Sequence, residues 1–365
     1  MNRRTFCLTG LSVAWVTRLS AALRDEQLEE AWEVLRRATE QKQIQAAVAH
    51  VVQRDQVVSR AFGTASSPDA MFLLGSISKP IAITALMALY DQAAFQLDDL
   101  VRKYLPGFTG DGRETVTIRH LLTHVSGLPD QLPNNNELRA RHSPLSVFAE
   151  HVERTPLHFA PGTRYEYSSM GILLAARIAE RISGCEIRQL VDERVFQPLG
   201  MRHSAQGIGR FPLAAFVPVQ TERAAPESGG GDPTAKEWDW NSAYWRALGA
   251  PWGGTHCSAP DVARLLAEFL DERGGVLRPE TARLMCRNHN PPALTPRGLG
   301  WNVGAGAGSR GCSARTFGHT GSTGTIAWGD PESRTIGVVL TSLPARAVTP
   351  HPRDLAAERI AASAG

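Results

Sequence analysis

The sequence predicts an α+β fold: an antiparallel sheet flanked by helices, formed from both chain ends, with a mainly helical stretch inserted between them. Three observations carry that expectation. Near the N-terminus, Ala46 to Val52 and Val57 to Phe62 read as two strands around the turn Gln53-Arg54-Asp55-Gln56. Towards the C-terminus come four more strand candidates: Leu299 to Val303, Thr316 to His319, Thr325 to Trp328 and Thr335 to Thr341. Between the two groups the chain is mainly helical in pattern, with long loops. The expected division is residues 23–80 with 251–365 as the sheet-containing part and residues 81–250 as the insertion.

The elements follow in order. Glu26 to Thr39 carries helix periodicity through Leu28, Trp32 and Leu35. The apolar run Ala70 to Gly75 is strand-like and gives way to a helix pattern from Ile77 to Tyr90. Pro80 falls in its first turn, where a missing N–H costs little. This helix is apolar on most sides and should be buried. Thr117 caps Ile118 to Thr123, and Ser126-Gly127-Leu128-Pro129 stops it. Gly171 to Ile182 is a helix ended by Ser183-Gly184. Glu222 to Trp245 reads as a long loop of the kind that covers a site; Trp238, Trp240 and Trp245 either line a pocket or pin the loop. Ser258-Ala259-Pro260-Asp261 resembles a capping box before Val262 to Asp271. Gly329-Asp330-Pro331-Glu332-Ser333 is a hairpin turn, and Asp354 to Ala362 is a closing helix.

A chain of 365 residues allows about two domains of roughly 150 residues each. Its N-terminus places Arg3 and Arg4 before an uncharged, mildly apolar run, Thr5 to Thr17, and then Ser20-Ala21-Ala22. That is the layout of an export signal over residues 1–22, of the twin-arginine type, and implies a periplasmic destination. The apolar run is too short for a membrane span of about 20 residues. Cleavage after Ala22 removes Arg3, Arg4 and Arg18, which brings 39 Lys+Arg down to match 36 Asp+Glu. The basic excess expected of a nucleic-acid binder is then absent. Cys185, Cys257, Cys286 and Cys312 are widely spaced with no C-x-x-C pair, which argues against a cysteine zinc site. A protein folded before export, in a reducing compartment, should keep them as free, mostly buried thiols.

Ser76-Ile77-Ser78-Lys79 stands where the strand-like run ends and the buried helix begins. Residues i and i+3 share a helix face, so the Lys79 amine is delivered beside the Ser76 hydroxyl. A serine hydroxyl needs a neighbouring base to act as nucleophile. A lysine is such a base when burial and other cations depress its pKa. The Ser76 amide, at a helix N-terminus, is free to face an oxyanion. Tyr167 follows the turn Pro161-Gly162-Thr163; near Ser76 and Lys79 its hydroxyl would relay a proton, the more so if the ammonium lowers its pKa. His319-Thr320-Gly321-Ser322 ends a strand and starts a Gly-rich turn. Such an edge admits a substrate backbone, and the Ser322 amide is a second oxyanion donor. Each of these, taken alone, is also ordinary structure: a helix start, a core tyrosine, a hairpin.

Together the segments resemble the serine β-lactamase and penicillin-binding-protein superfamily, near its class C β-lactamase, D-alanyl-D-alanine carboxypeptidase and esterase branch. The family's S-x-x-K, Y-x-N and K-T-G or H-T-G signatures correspond in order to Ser76-Ile77-Ser78-Lys79, Tyr167-Ser168-Ser169 and His319-Thr320-Gly321. Leu97-Asp98-Asp99, Leu121 to Leu128, Pro161-Gly162-Thr163 and Asp330-Pro331-Glu332 match as well. The resemblance runs from about residue 27 to 345 and implies a β-lactamase-like fold. It implies Ser76 as acylated nucleophile, Lys79 and Tyr167 as its proton partners, and the Ser76 and Ser322 amides as oxyanion hole.

Two departures bear on substrate. Ser169 stands where lactamases usually carry Asn, with shorter reach and one hydroxyl. His319 replaces the lysine that meets a substrate carboxylate and is mostly neutral at neutral pH. Both fit an esterase or peptidase-like member better than an efficient β-lactamase. His120 and His124, at i and i+4, have zinc-like spacing but lack the glutamate of H-E-x-x-H. The expectation is therefore a serine hydrolase of small esters, amides or peptides, needing no metal or organic cofactor. Ester hydrolysis ranks first, D-amino-acid peptide hydrolysis second and β-lactam hydrolysis third. A rival of another class is a catalytically silent binder of cell-wall peptides. A second rival, a lipid-surface hydrolase, would need the Trp-rich loop to form an exposed apolar rim.

Overall fold

The structure, a computed structural model, describes residues 23–364; the expected export signal at 1–22 lies outside the described residues. Nine strands form two sheets: β1 (Ala46–Gln53), β2 (Gln56–Gly63), β3 (Phe72–Leu73), β4 (Ser204–Gln206), β5 (Thr255–Cys257), β6 (Asn302–Val303), β7 (Phe317–Gly321), β8 (Thr325–Asp330) and β9 (Thr335–Thr341). The helices are α1 (Asp25–Glu40), α2 (Ser78–Asp91), α3 (Ile118–Leu122), α4 (Asn135–Ala140), α5 (Leu145–Glu153), α6 (Ser169–Ser183), α7 (Ile187–Val191), α8 (Ala243–Leu248), α9 (Ala259–Leu270), α10 (Pro279–Met285) and α11 (Pro352–Ser363).

The main sheet runs β2-β1-β9-β8-β7-β6, with every neighbouring pair antiparallel. β1 lies beside β9, Ala49 opposite Val339, so the two chain ends are joined through the sheet centre. Period-2 alternation sends Ala47, Ala49, Val51 and Val339 to a core under α1 and α11, with Trp32, Leu35 and Ile360. The intervening Ala46, Val48, Val338 and Leu340 join the larger core with α2, α6 and α9. Both faces are covered, which is why β9 reads as an unbroken apolar run (Ile336, Val338, Val339, Leu340) rather than an alternating one. An α+β fold with a mainly antiparallel sheet flanked by helices is thus the observed architecture.

Several local expectations change. Ala70 to Gly75 does not enter the main sheet; β3 pairs with β5, and β5 with β4, in a second sheet. Leu299 to Val303 shortens to β6, because Gly298 N–H bonds the Trp301 carbonyl at 2.9 Å and Gly300 N–H turns towards the Leu122 carbonyl at 3.3 Å. Ser258 caps α9, but the Asp261 carboxylate does not close the box. It accepts instead from His203 N–H (2.7 Å) and the Ser204 hydroxyl (2.8 Å), tying α9 to β4. The four cysteines are free, yet only Cys257 is buried and the other three are half-buried. The Glu222 to Trp245 stretch contains the end of a 3-10 turn at Thr221–Arg223, two more at Pro226–Ser228 and Ala235–Glu237, and the start of α8. Trp238, Trp240 and Trp245 are all buried, so they form no exposed apolar rim. No helix among the described residues is long and apolar enough to cross a membrane.

Candidate active site

Ser76 sits in a 3-10 turn, Gly75–Ile77, that feeds α2, not in the α-helix itself. The turn is clamped from both sides. Leu74 N–H bonds the Thr255 carbonyl (2.9 Å), and the Thr255 amide donates to the Ser78 hydroxyl (3.0 Å). From the main sheet, the Thr323 and Thr325 hydroxyls donate to the carbonyls of Leu73 (2.6 Å) and Leu74 (2.7 Å). Gly75 has φ 56°, and a Cβ there would come within 2.9 Å of Thr323 Oγ1 and 3.1 Å of the Ser322 amide nitrogen. A side chain at 75 would therefore drive the 321–323 turn away from Ser76.

Lys79, one helical turn on, is 1% exposed. Its Nζ lies 2.9 Å from Ser76 Oγ and donates to the Trp252 carbonyl at 3.0 Å. Burial is the dominant influence and lowers its pKa to about 7; Arg297 adds to the lowering, and the Asp130 carboxylate opposes it. Asp130 is exposed, so water screens its pull, and burial wins.

The Tyr167 phenol is close enough to Ser76 for the serine hydroxyl to act on its pKa, and Lys79 Nζ lies 4.6 Å from its ring centre. His124 holds this segment. Its carbonyl accepts from Glu166 N–H (3.0 Å), its Nδ1 accepts from Ser168 N–H (3.2 Å), and its ring lies 4.6 Å from that of Tyr167. Ser168 then caps α6, accepting from Gly171 N–H at 2.8 Å. The Tyr167 phenol does not have the lowered pKa expected from a neighbouring ammonium. Burial raises it, outweighing the opposing influences of Arg297 and the Ser76 hydroxyl.

Ser76, Tyr167, Ser169, His319, Thr320 and Ser322 all face one cavity of about 440 Å³, walled on one side by Trp240, Trp245 and Trp252. Two of the three loop tryptophans thus line the site; Trp238 is buried away from it. Gly321 does not face the cavity. It packs against the Leu74 carbonyl, which a Cβ would meet at 2.1 Å. Ser169 turns its hydroxyl to Asp130 Oδ1 (2.5 Å), which also accepts the Ser169 amide (3.0 Å). Among the described residues the Ser322 amide is paired with no acceptor, while its carbonyl accepts from Ala345 N–H.

His319 is buried, and both of its ring nitrogens are engaged. Nδ1 lies 2.7 Å from the Thr320 carbonyl, and Nε2 lies 2.9 Å from Arg297 Nη2. A guanidinium can only donate, so Nε2 is the acceptor and Nδ1 carries the proton. Burial first, then the Arg297 and Lys79 cations, hold the pKa of His319 well below the ordinary histidine value. His120 and His124 do not present one face. α3 ends at Leu122, His120 Nδ1 accepts from the Thr117 amide, and His124 takes φ 61° beyond the helix.

Arg297, Asp130 and the Trp252 carbonyl are site components that sequence reasoning missed, and His124, noted there only for its spacing from His120, holds the Tyr167 segment. They come from loops with no periodicity; the one available signal was an arginine at the head of an apolar run.

The Beta-lactamase family model matches residues 29–362. The chain belongs to the beta-lactamase family. It is thereby a member of the serine β-lactamase and penicillin-binding-protein superfamily, a family of hydrolases of the serine β-lactamase fold. An Escherichia coli O157:H7 protein carrying the provisional name D-alanyl-D-alanine carboxypeptidase is 28% identical over 343 residues, spanning 80% of this chain and 77% of that one. Among solved structures, EstCE1, described as a hydrolase with promiscuous acyltransferase activity, superposes with TM-score 0.76 at 22% identity, covering 92% of this chain and 99% of its own. Simvastatin synthase of Aspergillus terreus gives TM-score 0.74 at 20% identity, covering 92% and 98%. At these identities the structural likeness speaks for the fold.

Proposed function

We propose that this protein hydrolyses small neutral esters through an acyl-enzyme on Ser76. One observation carries the reading: the Ser76 hydroxyl, at the wall of a 440 Å³ cavity, lies 2.9 Å from a buried lysine whose pKa is brought down to about 7. Above that pH the neutral Lys79 amine donates one N–H to Trp252 and offers its lone pair to the Ser76 proton. Ser76 Oγ attacks the ester carbonyl, and the oxyanion meets the Ser76 and Ser322 amides. Tyr167, kept protonated by burial, gives its hydroxyl proton to the departing alkoxide and recovers one from the Lys79 ammonium. Water then enters in the reverse sense and releases the acid.

One feature favours neutral substrates over carboxylate-bearing β-lactams. His319 has no N–H left for a carboxylate, because its two nitrogens are bound to Thr320 and Arg297. A second reading, D-amino-acid peptides, is favoured by the edge of β7. β6 pairs only with Phe317 and Gly318, which leaves Thr320 facing the cavity for a peptide backbone.

The test is a panel of p-nitrophenyl esters, D-amino-acid amides and a chromogenic cephalosporin, run with the parent and Ser76→Ala. Ester turnover that the variant loses supports the proposal; equal turnover by Ser76→Ala removes it. A fluorophosphonate adduct found on Ser76 by mass spectrometry separates an enzyme from a silent binder.

A further inference from the structure

Arg297 is an anomaly. It comes from the irregular chain between α10 and β6, is 1% exposed, and lies directly behind His319. Its contacts are all with groups that are neutral at neutral pH. Nη2 donates to the Gly300 carbonyl (3.1 Å) and to His319 Nε2 (2.9 Å), Nη1 donates to Asn302 Oδ1, and the neutral Tyr165 hydroxyl lies within electrostatic reach of the guanidinium. Its Nε is a buried donor with no partner, and its guanidinium carbon is 5.6 Å from the Tyr167 ring centre. Among the described residues no carboxylate forms an ion pair with it. A buried charge without a counter-ion is costly, and cavities that do chemistry are where such costs are kept.

Building on the Ser76 acylation reading, we infer that Arg297 is a positioning residue. It is a cation placed behind His319 and Tyr167 that keeps the Lys79 amine deprotonated and holds His319 in its Nδ1–H form. The position of the charge matters. A lysine in place of His319 would present its ammonium to substrate directly. Here the charge is set one side chain back, where it acts on the catalytic groups and leaves the neutral His319 ring to face the cavity. Burial supplies most of the lowering at Lys79, and Arg297 is the cation that adds to it. Asp130 is the carboxylate opposing it and is exposed; Tyr167 stays a neutral phenol; His319 and His124 are both held neutral by burial and by this same guanidinium. Ser76 and the Trp252 carbonyl complete the surroundings and carry no charge.

The experiment measures the rate of fluorophosphonate labelling of Ser76 against pH, with melting temperature at each pH. Its variants are Arg297→Met, Arg297→Lys and Tyr165→Phe. Expected for Arg297→Met is an acidic limb moved up by about one pH unit. Labelling at pH 7 falls by about fivefold and recovers as pH rises, while the melting temperature holds or increases, because an uncompensated charge has gone. Arg297→Lys should keep most of the parent's limb. Tyr165→Phe removes a neighbouring hydroxyl without the charge and should leave the limb in place. An unmoved limb in a folded Arg297→Met protein overturns the inference while leaving Ser76 as nucleophile. If Arg297→Met does not fold, a displaced limb in folded Arg297→Lys overturns it instead. No labelling of the parent at any pH overturns the acylation reading, and this inference with it.

Discussion

The Ser76 cavity and a larger groove on the helical side make an informative pair. The groove, about 570 Å³, lies between α5, α6 and α7 and is lined by Leu145, Leu173, Ala176 and Leu248. Four of its charges are spent on one another: Arg177 meets Glu180 at 2.8 Å, and Arg188 meets Glu186 at 2.6 Å. Its Tyr244 hydroxyl donates to the Ser143 carbonyl. The Ser76 cavity is smaller, at about 440 Å³, but lies over charges that are not spent: a lysine without a carboxylate at hydrogen-bond distance and an arginine bonded to neutral groups. Volume does not distinguish the two. What does is the presence of buried titratable groups whose environment opposes their ordinary charge state.

Four expectations would break or sharpen that contrast. The largest is Ser76→Ala, which should lower ester kcat/KM by about 10³-fold or more and abolish the acyl adduct in intact-mass spectra. Full activity in that variant would leave the cavity no more special than the groove. Next, Lys79→Met should lose about 10²–10⁴-fold in rate and yet gain stability. With the Lys79 pKa at about 7 when folded and near 10.5 when unfolded, the unfolded chain binds more protons between those values. The parent's stability therefore rises with pH across that window, and the lysine's cost is full below pH 7. Thermal melts should show Lys79→Met ahead of the parent at pH 7 and level with it near pH 11.

The third expectation is smaller. Parent kcat/KM should fall as pH drops through 7, when Lys79 gains a proton. Asp130→Asn should move that limb to lower pH, because the carboxylate is the group holding the ammonium on. The shift is modest, since Asp130 is exposed and screened. It is opposite in sign to that of Arg297→Met, so steady-state pH profiles separate the two. The smallest effect belongs to the groove. Arg181→Ala, at its lining, should leave kcat/KM and its pH dependence within about twofold, the scale of an ordinary surface change. A larger loss would make the groove part of the working site.

Much of the scaffold was legible in the sequence because it follows short-range rules. β9 (Thr335–Thr341) matches its expected bounds, and α1, β1, β2, α6 and α11 differ by only a few residues at their ends. The Ser76–Lys79 contact was legible for the same reason: helical spacing alone sets one residue above the other. Elements went astray where a distant partner claimed the backbone. The Leu299 to Val303 stretch bends as Gly300 reaches Leu122, and Asp261 leaves its cap for β4. Tyr167 drew its weight from a resemblance, since nothing in its own surroundings distinguishes it from the other tyrosines.

By itself, then, the sequence determined an α+β chain with its ends in one sheet and a serine–lysine pair at the head of a buried helix. These follow from periodicity, caps and turns, whose forces act over a few residues. Only the tertiary structure decided that Lys79 is poised near neutrality, that Tyr167 keeps its proton, and that His319 is backed by Arg297. A pKa is set by burial and by charges within several ångströms. Those neighbours arrive from positions 130, 252 and 297, far along the chain from Lys79.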